Sequence, residues 1–296
     1  VKTEFTRQEI EQYLSDMALD NDIVRLVDPL DRRISMNFKG SPNDPMCSMI
    51  WGRCGRCENC TSLRALQSKG SAYKMEVMDR QTYWILSRYV SVDGKPNVAE
   101  LIKNVTESLV MDSDQRDEIG KLIRSYNEQL ITDSLTGAYN RRFLEEHFVP
   151  SLSCCHEKGL VVNLAFLDVD CFKFVNDHYG HAAGDTLLRD IACFWKLHFD
   201  SREKGEERLV VRIGGDELLI VACGISRERF EKEITGLDAQ MRKVCYPKDG
   251  VGFSFDYSLG VASSEELGGS WMWEELLRLA DQRMYRNKAE RKEQEG

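Results

Sequence analysis

The stretch Arg212-Ile213-Gly214-Gly215-Asp216-Glu217-Leu218 puts two glycines and two carboxylates between two apolar runs. Residues 209–213 and 218–222 are aliphatic and β-branched, so the segment predicts a strand, a tight turn and a second strand. Gly214 and Gly215 supply the positive-φ freedom that a two-residue hairpin needs and leave the space beside the turn bare of side chains. Two acids on such a tip read either as a solvated turn or as half of a metal site, and a second acidic cluster decides between them.

That cluster stands at Leu164-Ala165-Phe166-Leu167-Asp168-Val169-Asp170, an apolar strand that ends in two acids. Asp168 and Asp216, joined by the backbone carbonyl of Val169, make a set of hard oxygen donors with room for water and phosphate. Mg²⁺ is usually held by such a set.

Bulk composition narrows the classes of function. The 296 residues suffice for two domains with separate cores. With 42% hydrophobic and 30% charged residues the chain reads as an ordinary globular protein. No apolar run approaches the roughly 18 to 20 residues that span a bilayer, so a cytoplasmic protein without a membrane partner is expected. A formal charge of −9 argues against a nucleic-acid partner, which would need a basic face. One anionic ligand stays compatible if metal ions neutralise it. No signal peptide is visible after Val1, and the natural start is expected upstream.

Six of the ten cysteines (Cys154, Cys155, Cys171, Cys193, Cys223 and Cys245) are scattered through the second half. The other four, Cys47, Cys54, Cys57 and Cys60, follow one another at steps of seven, three and three. Their overlapping CxxC units can reach one ion from a single loop and the following helical turn, which suits Zn²⁺ or an Fe–S centre. A redox dithiol using two of them, or neutral buried thiols, are the alternatives.

Along the first half, residues 4–20 predict a helix and residues 22–30 a strand, with a hairpin through Ile34 and Phe38. Residues 73–78, 81–92 and 97–105 read as three further strands with turns at 79–80 and 93–96. Five antiparallel strands with helices between the second and third resemble a PAS sensor domain, and Asn104-Val105-Thr106-Glu107 resembles the motif that hands a PAS domain over to a signalling helix. A sensor ligand of unknown identity is implied. From 108 to 131, Ile119, Ile123, Tyr126 and Leu130 recur at steps of four, three and four, the seam of a dimer-forming coiled coil. A plain amphipathic helix packed on its own domain is the alternative.

The second half alternates helix (141–155), strand (160–167), helix (183–199), the hairpin, helix (227–244), strand (252–262) and helix (271–292). A mixed sheet flanked by helices follows. Four motifs occur here in register: Asp133-Ser134-Leu135-Thr136-Gly137-Ala138-Tyr139-Asn140-Arg141-Arg142, Asp168-Val169-Asp170-Cys171-Phe172-Lys173-Phe174-Val175-Asn176-Asp177, Gly180-His181-Ala182-Ala183-Gly184-Asp185, and Gly214-Gly215-Asp216-Glu217-Leu218. Their order and spacing resemble the GGDEF family of diguanylate cyclases, in which two GTP-loaded domains meet antiparallel and join two GTP into cyclic di-GMP with loss of two pyrophosphates.

The resemblance implies an α+β, two-domain chain: a PAS-like sensor over 1–107, a helical linker over 108–131, and a nucleotide-cyclase-like GGDEF domain over 132–296. It implies that Asp168, the Val169 carbonyl and Asp216 hold two Mg²⁺, and that Asp216 or Glu217 serves the 3′-hydroxyl's need to lose its proton. Asn176 and Asp185 match the guanine readers, whose donors and acceptors suit GTP over ATP. Lys173 and Lys288 match positions that offset phosphate charge. Lys292 stands where the family usually has Arg, keeping charge and losing the bidentate fork. Backbone N–H groups at Cys171 and Phe172 match the phosphate cradle, and His181 is a substrate-proximal or structural residue. The product-inhibition motif Arg-x-x-Asp of many relatives is replaced by Gly205 and Arg208, so that feedback site is expected to be absent.

Overall fold

The computed structural model describes residues 2–40, 46–51, 57, 59–79, 81–108, 113–152, 155, 158–199, 206–243, 246–248, 251–253, 255–268 and 271–295. The chain divides into two compact units, Val1–Ile131 with Glu145–Ser151, and Thr132–Leu144 with Leu152–Gly296.

In the first unit a short strand β1 (Glu4–Phe5) precedes helix α1 (Arg7–Met17). Thr6 caps α1 and Glu9 returns the bond to the Thr6 backbone, a reciprocal capping box. Ile10 and Leu14, four apart, are the residues that α1 buries. The helix predicted over 4–20 is therefore shorter at both ends, because the capping box fixes where it starts. Strands β2 (Ile23–Asp28), β3 (Arg33–Lys39), β4 (Ser71–Met78), β5 (Gln81–Val92) and β6 (Lys95–Asn104) pair antiparallel in the order β3-β2-β6-β5-β4. β1 adds a sixth strand, parallel to β5, and α2 (Thr61–Ser68) packs on β4 and β5. Inside lies a buried ion pair. Arg25 Nε donates to Glu100 at 2.6 Å, while Ser62 Oγ donates to the other Glu100 oxygen at 2.6 Å. Helix α3 (Ser113–Ile131) lies against β4, where Asn127 Nδ2 donates to the Met75 carbonyl at 3.2 Å and Asn127 Oδ1 accepts from Asn59 Nδ2 at 2.9 Å.

The second unit is built on the sheet β13-β8-β10-β9-β7. Its strands are β7 (Tyr139–Asn140), β8 (Val162–Val169), β9 (Glu207–Gly214), β10 (Glu217–Cys223) and β13 (Tyr257–Ser263), with β11 (Tyr246–Lys248) and β12 (Val251–Phe253) forming a separate hairpin. β7 runs parallel to β9 and the other pairings are antiparallel, so the sheet is mixed. β8 lies inside the sheet, between β13 and β10, and buries every residue from Val162 to Leu167. Such a run needs cover on both faces. From α6 (His181–Phe199) come Leu187, Leu188, Ile191, Ala192, Trp195 and Phe199, recurring at helical spacing. Helix α8 (Trp273–Glu295) packs on β13 and β8, and α7 (Arg227–Met241) packs near α6.

Three elements differ from expectation. The helix predicted over 141–155 is broken into α4 (Arg141–Phe143), a π turn (Leu144–Phe148) and a 3-10 turn (Val149–Ser151). Pro150 lacks the N–H that would continue the ladder. The strand predicted over 252–262 splits between β12 and β13. Finally, the stretch after Asp170 forms a helix, α5 (Phe172–Tyr179), with Phe172, Val175 and Tyr179 on its inner side.

Candidate active site

The turn that joins β9 to β10 is Gly215-Asp216, with Glu217 paired to Gly214 on one side and to Asp168 of β8 on the other. Only Gly215 has a positive φ, +36°, so the conformational demand falls on one glycine and not two. A Cβ at either Gly214 or Gly215 would meet nothing within 4 Å, which leaves open space on this tip. A bulge between Glu217 and Leu218 adds local twist where the acids leave the ladder.

Arg212 fixes the turn. Its Nε and Nη2 donate to the Gly215 carbonyl at 3.1 and 2.6 Å, and its Nη1 donates to Asp133 at 2.9 Å. Asp133 in turn accepts from the Thr136 amide at 2.9 Å and from its hydroxyl at 2.7 Å. Burial pushes the Asp133 carboxyl up, but Thr136 and Arg212 outweigh it and hold it below its ordinary value. Sequence reading gave neither residue a role; the signal was an arginine two positions before the glycines.

Asp168, at the end of β8, is ion-paired with Lys288 of α8, and Lys288 also lies 3.7 Å from Asp170. Asp170 is held by Ser258 Oγ, 2.9 Å from both carboxylate oxygens. The Val169 amide donates to the Asp216 carbonyl at 3.4 Å, which ties the strand end to the turn. Burial and the neighbouring Asp168 raise the Asp216 carboxyl above its ordinary value; burial, Asp168, Asp216 and Asp281 do the same to Glu217. Burial alone would lower the Lys288 ammonium, but its bond to Asp168 and the charges of Asp168, Asp170 and Asp216 leave it raised. The cluster thus has more negative charge than Lys288 cancels. Among the described residues no group of three or more His, Cys, Asp or Glu side chains is disposed to hold a metal ion by itself. The clustered carboxylates nevertheless match Mg²⁺ in chemistry, because they are hard oxygen donors.

Beside this cluster, Cys171 takes the left-handed region at φ 53° and turns the chain from β8 into α5. Cys171 and Lys173 are exposed and Phe172 is half-buried on the core. Half-buried Asn176 of α5 faces Gly184 of α6. A Cβ at Gly184 would collide with the Asn176 side-chain oxygen, so glycine there lets the two helices meet. Asp185 follows on the exposed side of the first turns of α6, and His181 is exposed at its start. The structure thereby brings Asn176 and Gly184 together, with Asp185 the next residue along α6. Lys292 lies on α8 one turn beyond Lys288.

Of the second candidate site, Cys54 lies outside the described residues. Cys57 is buried, Cys47 is half-buried, and Cys60 is the residue from which α2 starts. Burial, Glu100, Cys60 and Cys57 together push the Cys47 thiol far up, which places these groups in one neighbourhood. Among the described residues they do not form a metal-holding group, so the metal expectation is not met by Cys47, Cys57 and Cys60 alone.

A model of the diguanylate cyclase GGDEF domain matches residues 130–294. Diguanylate cyclase DgcP of Escherichia coli strain K12 is 33% identical over 149 residues, 47% of this chain and 42% of that protein. Diguanylate cyclase DgcP of Pseudomonas aeruginosa is 30% identical over 166 residues, 56% of this chain and 24% of that protein. The chain thus spans less than half the length of these curated relatives. The coiled coil and GGDEF domain of DgcB from Caulobacter crescentus, solved in complex with c-di-GMP, shares the fold at a TM-score of 0.52 and 20% identity, over 62% of this chain and 95% of that one. Because the matched residues run through all four motifs and make up more than half of the 296, the chain belongs to the diguanylate cyclase GGDEF family.

Proposed function

We propose that the chain is a diguanylate cyclase that condenses two GTP into cyclic di-GMP and two pyrophosphates as a homodimer, in the cytoplasm, under control of its N-terminal unit. The observation that carries this reading is the under-compensated acidic cluster of Asp168, Asp216 and Glu217 at one end of β8 and β10.

Asp168, the Val169 carbonyl and Asp216 are the donors for two Mg²⁺, which when bound supply Lewis-acid polarisation of the α-phosphate and a lowered pKa for the attacking hydroxyl. Asn176 and Asp185 bind the guanine edge. Lys173, Lys288 and Lys292 offset phosphate charge, and the Cys171 and Phe172 amides at the start of α5 take phosphate oxygens. Either Asp216 or Glu217 accepts the 3′-hydroxyl proton. Lys288 holds Asp168 until the triphosphate offers it a second anion. Each domain carries one nucleotide, so two domains must face each other for both new phosphodiester bonds to form.

For the first unit, the strand order β3-β2-β6-β5-β4 supports a PAS-like sensor over 1–107, and α3 with its exposed Leu122 and Tyr126 supports a dimer-forming linker over 108–131. The input acts by shifting how often the two half-sites meet. For Cys47, Cys54, Cys57 and Cys60 the readings are a metal centre (Zn²⁺ or Fe–S), a redox pair and neutral buried thiols, and elemental analysis of anaerobically purified protein tests the first. Among the described residues no helix is long and apolar enough to cross a membrane. At the feedback position Gly205 lies outside the described residues, while Arg208 is buried in ion pairs with Glu206 and Glu233. An arginine so engaged supports the loss of product inhibition.

The test is incubation with GTP and Mg²⁺ and chromatography of the products. Cyclic di-GMP and pyrophosphate are expected from the native chain, with Asp216→Ala losing at least about 100-fold in rate. GTP binding without turnover by the native chain would replace this reading with a GTP-sensing effector domain.

A further inference from the structure

Two buried sulfurs lie apart from everything the catalytic reading uses. Cys223 closes β10, Cys155 lies ahead of β8, and their Sγ atoms are 2.9 Å apart. Their exposures are 3% and 7%. That separation is closer than ordinary contact between two sulfurs and is a small side-chain movement from the roughly 2.05 Å of a covalent bond.

The surroundings hold the pair in place. In the ladder Cys223 faces Val162, the first residue of β8. The Leu160 amide donates to the Cys155 carbonyl at 2.8 Å, and the Gly224 amide donates to the Val161 carbonyl at 2.9 Å. Both sulfurs therefore sit on backbone that is pinned to the same end of β8 and β10. The opposite end of those two strands carries Asp168, Asp216 and Glu217, about 20 Å away at the rise of a β-strand. In sequence, however, residues 155 and 223 are 68 apart and enclose Asp168, all of α5 and α6, and the Gly214-Gly215-Asp216-Glu217 turn.

We infer that Cys155 and Cys223 are a reversible dithiol–disulfide pair, closed by hydrogen peroxide, whose bond staples the nucleotide-binding half of the GGDEF domain from the end remote from its acids. One thiol sulfur attacks a peroxide oxygen, loses its proton and becomes a sulfenic acid as the O–O bond breaks and one water leaves. The second sulfur then displaces the sulfenic oxygen as another water, giving Sγ–Sγ. Two thiols lose two electrons and two protons, and one peroxide becomes two waters. A bond across so long a loop restricts the unfolded chain. It touches no group that meets the nucleotide, so its effect falls on stability and not on the chemistry.

The experiment treats the full chain with hydrogen peroxide, quenches in acid, alkylates under denaturing conditions and maps the cysteines by fragmentation mass spectrometry without reductant. Exposed Cys171 and Cys193 report that the oxidant reached the protein. The expected result is a cross-linked peptide pair joining 155 to 223, two hydrogens lighter than the sum of its parts and released by dithiothreitol. The oxidised chain should unfold about 5 °C or more above the reduced one. Cys223→Ala should lose both the linked pair and the shift while keeping the wild-type rate at 25 °C. Recovery of Cys155 and Cys223 in alkylated form while Cys171 or Cys193 is oxidised would overturn the inference. So would linkage through Cys154 instead of Cys155, or a linked pair with no rise in Tm. The mapping is done on the native chain, so it stands even if the variant fails to fold.

Discussion

Arg208 is a buried arginine held from several sides. Its side chain is 2% exposed. It reaches Glu206 at 2.9 Å, Glu233 at 2.8 Å and the Phe199 carbonyl at 3.4 Å, with its planar end 4.9 Å from the Phe199 ring. Burial pushes the Glu233 carboxyl up, but bonds from Arg208 and Arg229 prevail and hold it below its ordinary value. A carboxylate depressed in the folded state adds stability that is complete above its unfolded pKa and is lost as pH falls through the folded one. Glu233→Gln should therefore cost about 1 to 2 kcal/mol at neutral pH and flatten the loss of stability between about pH 5 and pH 3. Denaturant unfolding at a series of pH values checks it; parallel curves for wild type and variant would contradict the assignment.

At the scale of elements, the contact of β13 with α8 sets where Lys288 arrives. Gly260 is required there because a Cβ would overlap the Ala280 carbonyl oxygen and the Met284 amide nitrogen, both backbone atoms of α8. Gly260→Ala must push the helix away, at a cost of about 1 to 3 kcal/mol. Lys288 lies one turn after Met284, so its pairing with Asp168 should loosen too. A lower Tm together with a lower rate of GTP turnover is expected, measured beside Gly214→Ala, whose new Cβ has open space and should leave Tm unchanged. An unchanged Tm for Gly260→Ala would mean that α8 yields without cost. Hydrophobic period made the long helices and the central strands legible. The broken helix after Asn140 was not, because a π turn keeps apolar residues at nearly helical spacing while Pro150 ends the ladder. α5 was missed as a helix because its eight residues carry few apolar positions beyond Phe172, Val175 and Tyr179.

For the whole molecule, a reaction that needs two nucleotide-loaded domains should depend on protein concentration. Specific activity is expected to rise with concentration over the range of about 10 nM to 10 μM and then level off. Leu122→Glu with Tyr126→Glu, on the exposed side of α3, should move that rise to higher concentration without altering the plateau by more than about twofold. Light scattering alongside the assay checks the association directly. A specific activity independent of concentration in both forms would remove the linker-helix dimer.

The sequence alone singled out the candidate residues and most of the elements that carry them, because spacing along a chain survives in local structure. Gly214-Gly215-Asp216-Glu217 could be recognised as a hairpin tip, and Asp168 as the end of a buried strand, without coordinates. Tertiary structure decided how these pieces meet. It placed the turn at Gly215-Asp216, set Arg212 between Gly215 and Asp133, brought Lys288 onto Asp168 and closed Asn176 against Gly184. The same holds for Cys155 and Cys223, which no local pattern connects. Contacts between residues tens of positions apart depend on sheet order and helix packing, and these follow from burying a whole core and not from any one stretch of it.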